Sequence, residues 1–533
     1  MLIAKKSWGK TIFFTIGTSE RFCSATLGFF MNTATFSPPL FPDFGLTILY
    51  IYILERGGNM VFSSFEYFLC FLPITIFIYY FFLYTRCTKY LLFILILSSL
   101  FFYGYWEPKN LYIIISSVLV NYFFSKLLLA ENKYRKPIFI LSIVFNVLLI
   151  FIYKYLDFSI SIVNYCFRQE LPYFHIILPI GISFFTFQQI AYLSDCYTKK
   201  HLASSEGFLN YCCFICFFPQ LIAGPIVHHK DLIPQFYSIQ NQIIRWKNIH
   251  YALLFFVIGL SKKLLIADNL SPLVSYCFDS DIKLTFLEAL FGSLCYTFQL
   301  YFDFSGYSDM AIGSALFFNI KLPHNFFSPY KALSIRDFWR RWHITLSIWL
   351  RDYIYIPLGG NRKGKFRTYA NLFITFLIGG IWHGASITFI IWGIMHGLAL
   401  ILHRIWNEKN AFKLPAFFAW LLTFSFVNFA WIIFRAKELN DITNFFKALT
   451  FQRSFNFSKP FIQTIIEPIP LYPEKALLII SVLFLIIFTK NSQQLQNKFK
   501  TCRFTVYCAI LAVLCILKLL HPENTQEFIY FQF

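Results

Sequence analysis

Charge is scarce in this 533-residue chain: Asp, Glu, Lys and Arg make up 14% of it, and acids are the rarer sign, 26 against 46 Lys and Arg. A water-soluble globule carries about 25% charged residues, so this composition excludes one. Familiar enzyme signatures are missing too. There is no G-x-S-x-G, no phosphate-binding loop and no cysteine with a paired-histidine signature. Nor is there a repeated block that would mark two inverted transporter halves. The start of the chain shows no clear apolar core or small-residue cleavage site of the kind a signal peptide needs. The 13 cysteines are scattered through apolar sequence. Their one close group, Cys212, Cys213 and Cys216, has no histidine or acidic neighbour, so it reads as small polarizable core residues and no metal site is expected.

What is present in abundance is apolar surface, 57% of all residues, with aromatics at 21%. Apolar runs recur near 68–84, 90–106, 111–129, 138–156, 173–193, 208–227, 249–267, 284–302, 309–320, 415–434, 475–489 and 504–520. With the two halves of 372–402 they predict an all-α polytopic membrane protein of about ten to twelve crossings. The net charge of +20 sits at the ends of these runs, as topology control requires, rather than in a patch for nucleic acid. Residues 1–59 differ from the rest in being lysine-, threonine- and proline-bearing without a span. The peptide ERGGN before Met60 can be written in codons resembling a bacterial ribosome-binding site, so translation is expected to start at Met60. N-terminal sequencing that finds earlier residues would refute this. The polar stretch from Arg435 to Pro473 is expected to lie on the surface.

Residues 336–404 organise the chain. In RDFWRRWHITLSIWLRDYIY, Trp339, His343, Leu346, Leu350 and Tyr353 recur at steps of four and three, which predicts one amphipathic helix with Arg336, Arg340, Ser347 and Arg351 on its other face. No charged residue then occurs between Leu372 and Leu402. That is longer than the roughly 20 residues of a straight span, so the run tilts or breaks, and Gly379, Gly380 and Gly384 are the expected places. Trp382 and His383 lie between these glycines, where a polar ring needs a partner or a purpose. A buried neutral imidazole is suited to take a proton from a hydroxyl, and His343 is the available second group. His396 and His403 read as ordinary packed residues, and His228 and His229, followed by Lys230 and Asp231, as a solvated loop. Asp303 and Asp309, in YFDFSGYSDMAIG, face either a hydrated cavity or hydrogen-bond partners around Gly306. Between Lys331 and Arg367, nine Lys and Arg against Asp337 and Asp352 would steer an anionic donor or simply fix topology. In the terminal FIYFQF, Tyr530 is either an interfacial anchor or a hydroxyl at a tunnel mouth.

Several of these stretches together resemble a known family. FDFSGYSDMAIG, LPHNFFSPYKALSIRDFWRRWHITLSIWLRDYIYIPLGGNR, IWHGASITFIIWGIMHG, LPIGISFFTFQQIAYLSDCY, AGPIVHHKDLIPQF and the terminal FIYFQF are similar to the membrane-bound O-acyltransferases, in their bacterial branch of alginate and peptidoglycan O-acetyltransferases. The resemblance covers residues 60–533, with its motif core at 296–404, and leaves 1–59 outside. It implies membrane helices and re-entrant or interfacial helices around a central tunnel, with His383 of the WHG motif as the essential catalytic residue and His343 of the RWH motif as the second functional histidine. It also implies a multi-pass protein of the bacterial plasma (inner) membrane, surrounded by lipid, with no bound cofactor. The substrate would be an acyl thioester, acetyl-coenzyme A or an acyl-carrier protein, held near Trp382, Asp303, Asp309, Arg336, Arg340, Arg351 and Tyr530. An extracytoplasmic SGNH or esterase-like O-acetyltransferase would finish the transfer. D-alanyl transfer to teichoic acid is the related alternative. A proton-coupled transporter is the alternative of another class, favoured if a His383→Ala variant lost proton-coupled flux while polymer acetylation persisted.

Overall fold

In the computed structural model the described residues are 60–130, 133–198, 206–238, 241–280, 282–409, 412–450, 453–454, 456–459, 461, 481–482, 489–520 and 528–529. Residues 1–59, Tyr530 and most of the 475–489 run lie outside this set, and with them the expectations placed there. No strand occurs among the described residues. Eight helices among the described residues are long and apolar enough to cross a membrane: α1 (Glu66–Tyr84), α2 (Thr88–Trp106), α3 (Asn110–Leu129), α4 (Arg135–Phe167), α8 (Trp246–Phe278), α13 (Ile387–Glu408), α14 (Ala416–Arg435) and α16 (Cys502–Leu519). Between them lie α5 (Ile182–Thr198), α6 (Phe208–Cys216), α7 (His229–Tyr237), α9 (Phe286–Leu316), α10 (Ile335–Trp339), α11 (Ile344–Leu350), α12 (Gly364–His383) and α15 (Leu439–Leu449). The chain is a multi-pass, all-helical membrane protein. Its outer helices leave Phe77, Phe123 and Leu422 more than half exposed, as side chains that face lipid should be.

Helix α9 is the buried axis. It begins with a capping box in which the Thr285 hydroxyl accepts from the Glu288 amide at 3.3 Å and the Thr285 amide donates to Glu288 at 2.8 Å. From Cys295 to Leu316 every residue is buried. Helix α8 approaches so closely that a Cβ on Gly306 would lie 2.7 Å from the Gly259 carbonyl oxygen. This seam also holds a cluster of paired charges. Lys262 pairs with Asp309 at 2.6 Å, and Lys263 bridges Asp268 at 2.9 Å and Asp303 at 2.8 Å. The two aspartates therefore face lysines across a helix contact, the partnered arrangement rather than an open cavity.

The expected amphipathic helix is not continuous. Its stripe is buried at Trp339, His343, Leu346 and Leu350, but the helix stops after Trp339 and restarts at Ile344, with His343 in the left-handed region at φ 41°. A neighbouring segment takes the backbone bonds a helix would make. The Ile344 amide donates to the Asn325 carbonyl at 3.0 Å, the Thr345 hydroxyl to the Asn325 side chain at 2.6 Å, and the Phe327 amide to the Arg341 carbonyl at 2.9 Å. The 372–402 run breaks once, after His383, and Ser386 caps the start of α13 by accepting from the Thr388 amide at 3.3 Å. Gly379 and Gly380 stay helical. Their use is packing: a Cβ on Gly380 would lie 2.5 Å from the Phe389 carbonyl oxygen and 2.8 Å from Gly393, so α12 and α13 form a tight hairpin. In the stretch after Arg435 the described residues include a helix. Helix α15 seats Phe445 on Phe278 with ring centroids 4.3 Å apart.

Candidate active site

The apolar α12 delivers His383 as its last helical residue, 6% exposed. Aromatic rings enclose the imidazole: Trp382 at 4.8 Å, Trp392 of α13 edge-on at 5.0 Å, and Phe434 of α14 edge-on at 5.0 Å. Trp382 also stands 6.4 Å from His343, so the two histidines expected to act together flank one indole. His343 is fully buried against the Phe304 ring at 4.8 Å, and neither of its ring nitrogens has a hydrogen-bond partner on another described residue. Beyond Trp392 the pattern continues to His396, 4.6 Å from that indole, whose Nδ1 accepts from Trp339 at 3.2 Å. His396 is thus packed as the sequence suggested, with one ring nitrogen paired, while its Nε2 is buried without a hydrogen-bond partner among the described residues. No group of three or more His, Cys, Asp or Glu suited to a metal ion occurs among the described residues.

The break after His383 leaves carbonyls at the end of α12, and α4 supplies their donors. Lys154 Nζ donates to the Trp382 carbonyl at 2.9 Å and to the His383 carbonyl at 2.7 Å, and the Tyr155 hydroxyl to the Ile381 carbonyl at 2.5 Å. Both residues lie in a π-helical turn, Phe151–Tyr155, within α4. Sequence reasoning missed them. The signal was a lone lysine inside the 138–156 run, but nothing in the sequence ties it to a site 229 positions away.

Three cavities approach α12. One of about 90 Å³ is lined by Lys154, Gly181, Phe184, Ile222, Trp382 and His383. A second, about 560 Å³, borders the turn after His383 through Gly384, Ser386 and Phe389, and is closed by Phe434, Arg435, Gln299 and Ile529. The third, about 890 Å³, brings together Arg336, Arg340, Arg351 and Arg404 over Trp339, Thr375 and Phe376. Thr375 and Phe376 precede His383 on α12 by about two turns, roughly 12 Å. The three arginines expected at the donor face thus do share one cavity, whereas Arg362 and Lys363 are exposed outside it.

Asp303 and Asp309 are not beside the histidines. Asp303 nevertheless reaches the site through the end of the chain, since its carboxylate accepts from the Ile529 amide at 2.8 Å. Phe528 stacks on Tyr307 at 4.4 Å and packs 5.8 Å from Phe304, the ring that touches His343. Tyr530 itself lies outside the described residues. The supposed solvated loop at His228 and His229 is instead built in. His229 is 2% exposed and 3.6 Å from Asp195, and the Tyr353 hydroxyl lies 3.1 Å from Asp195 and 3.2 Å from His228. The adjoining Lys230 is exposed, which is why the local sequence reads as polar.

The sequence pattern of the membrane-bound O-acyltransferase family matches residues 180–440. A peptidoglycan O-acetyltransferase of Helicobacter pylori is 45% identical over 383 residues, covering 67% of this chain and 73% of that protein. The chain belongs to the membrane-bound O-acyltransferase family. It is accordingly an acyltransferase. A probable alginate O-acetylase AlgI of Pseudomonas aeruginosa is 38% identical over 397 residues, 73% of this chain and 75% of that protein. A teichoic acid D-alanyltransferase of Bacillus subtilis is 28% identical over 292 residues, 50% of this chain and 71% of that protein. The family match contains His343, His383 and the arginine cavity of this O-acyltransferase, while Lys154 falls before it.

Proposed function

We propose that this membrane-bound O-acyltransferase takes an acetyl group from a cytoplasmic thioester and passes it across the bacterial plasma membrane for O-acetylation of a cell-surface polysaccharide, of peptidoglycan or alginate type. The observation that carries this reading is the placement of His383 at a helix end bordered by two cavities, with an arginine-lined cavity about two turns back along the same helix. In the proposed reaction a hydroxyl enters the cavity beyond the turn and attacks the thioester carbonyl. The neutral His383 ring takes the hydroxyl proton as the new C–O bond forms. The C–S bond then breaks, and the departing thiolate recovers the proton from the imidazolium, leaving a thiol and an ester. Arg336, Arg340 and Arg351 hold the anionic part of the donor, either the phosphates of coenzyme A or an acidic carrier protein. His343 polarises the thioester carbonyl. An SGNH or esterase-like partner outside the membrane completes the transfer to the polymer.

Identity is higher to the peptidoglycan enzyme than to the alginate acetylase, which favours peptidoglycan as the polymer. The D-alanyl alternative has weaker support, a 28% likeness over half of the chain. The test is to delete the gene and measure mild-base-labile esters on purified muropeptides, on alginate and on teichoic acid. Loss of acetate from muropeptides, restored by the wild-type chain and not by His383→Ala, is the expected result. Loss of D-alanine with unchanged acetate would overturn the proposal.

A further inference from the structure

The acyl-transfer reaction builds negative charge on the carbonyl oxygen. Helix α12 ends at His383, and a helix C-terminus carries roughly half a negative charge on its free carbonyls. That end would oppose the developing oxyanion. Lys154, half-buried, places Nζ on two of these carbonyls and lines the same small cavity as Trp382 and His383. An ammonium has three donors, and the two carbonyl bonds leave one over. We propose that Lys154 is a positioning residue for the acyltransfer: it fixes the turn that aims His383, and its charge cancels the negative end of α12 where the oxyanion forms. The inference rests on the reading of His383 as the base.

A purely mechanical cap would need donors but no charge. Gln can still donate to both carbonyls, whereas Arg keeps donors and charge, so the two substitutions separate the roles. The assay is thiol release from acetyl-coenzyme A with muropeptide acceptor and the extracytoplasmic SGNH or esterase-like partner present, using the full chain in proteoliposomes, with melting temperature checked for each variant. Lys154→Gln is expected to lower kcat roughly ten- to thirty-fold with the donor KM within about twofold, and Lys154→Arg to retain most of kcat. A second variant guards against local misfolding. Lys154→Ala, with its enlarged cavity, is expected to regain kcat on addition of propylammonium and not of neutral propionamide. Wild-type kcat in Lys154→Gln, or equal rescue by amine and amide, would overturn the role of charge. His383→Ala run alongside keeps the two questions apart. If it turns over normally the base assignment fails, and if it is dead while Lys154→Gln is normal only this inference fails.

Discussion

Two of the regions where this molecule buries polar side chains do it in opposite ways. Along the α8/α9 seam each charge has its counter-charge: Lys263 lies between Asp268 and Asp303, and Lys262 lies against Asp309 and donates to Ser492 at 2.7 Å. Around α12 the buried imidazoles stand among tryptophan and phenylalanine rings, beside cavities, and His343 has no hydrogen-bond partner on another described residue. Burying an unpartnered polar group is destabilising by about 1–3 kcal/mol. The seam is therefore read as holding the helices together, and the burial of His343 as stability given up for the proposed chemistry.

Variants can break or sharpen that contrast. Among residues other than His383, the largest effect is expected at Lys263. Lys263→Met removes the counter-charge shared by two buried carboxylates, and removing one partner of a buried pair destabilises by about 3–5 kcal/mol, so the melting temperature in detergent should fall sharply. An unchanged melting temperature would remove the structural reading of the seam. His343→Ala should do the reverse, lowering turnover roughly ten- to hundred-fold while melting stays within a few degrees of wild type. Smaller again, Arg340→Glu should raise the donor KM several-fold at low salt, with the defect fading as salt is added. Lys365→Glu, outside the arginine cavity and 77% exposed, should change it less, and equal effects would argue for general charge rather than a site. The smallest change is expected from Tyr353→Phe, which removes one hydroxyl from the Asp195 and His228 cluster; melting should drop by a degree or two and donor KM should hold.

The same contrast explains what could be read from the sequence. Runs of apolar residues gave the helices, because length and hydropathy are local properties, and a charge-free run longer than a span required a break that His383 now precedes. The motif glycines were legible as special but not in their use. Gly384 follows the break, while Gly379 and Gly380 remain within α12 and Gly380 lets α13 approach. What stayed hidden is long-range. The interruption at His343 depends on Asn325, the cap on α12 depends on Lys154, and the burial of His229 depends on Asp195 and Tyr353. Lys262 and Lys263 could have been noticed as two lysines inside an apolar run, which demands acidic partners; Asp303 and Asp309 were the available ones.

The most direct test is turnover per folded molecule for purified His383→Ala beside the wild type, with acetyl-coenzyme A, muropeptides and the SGNH or esterase-like partner in proteoliposomes. Thiol release and ester formation are expected to fall together by about 10²–10⁴-fold while the melting temperature and donor binding stay near wild type. Turnover near the wild-type value in a folded His383→Ala protein would contradict the reading of His383 as the base.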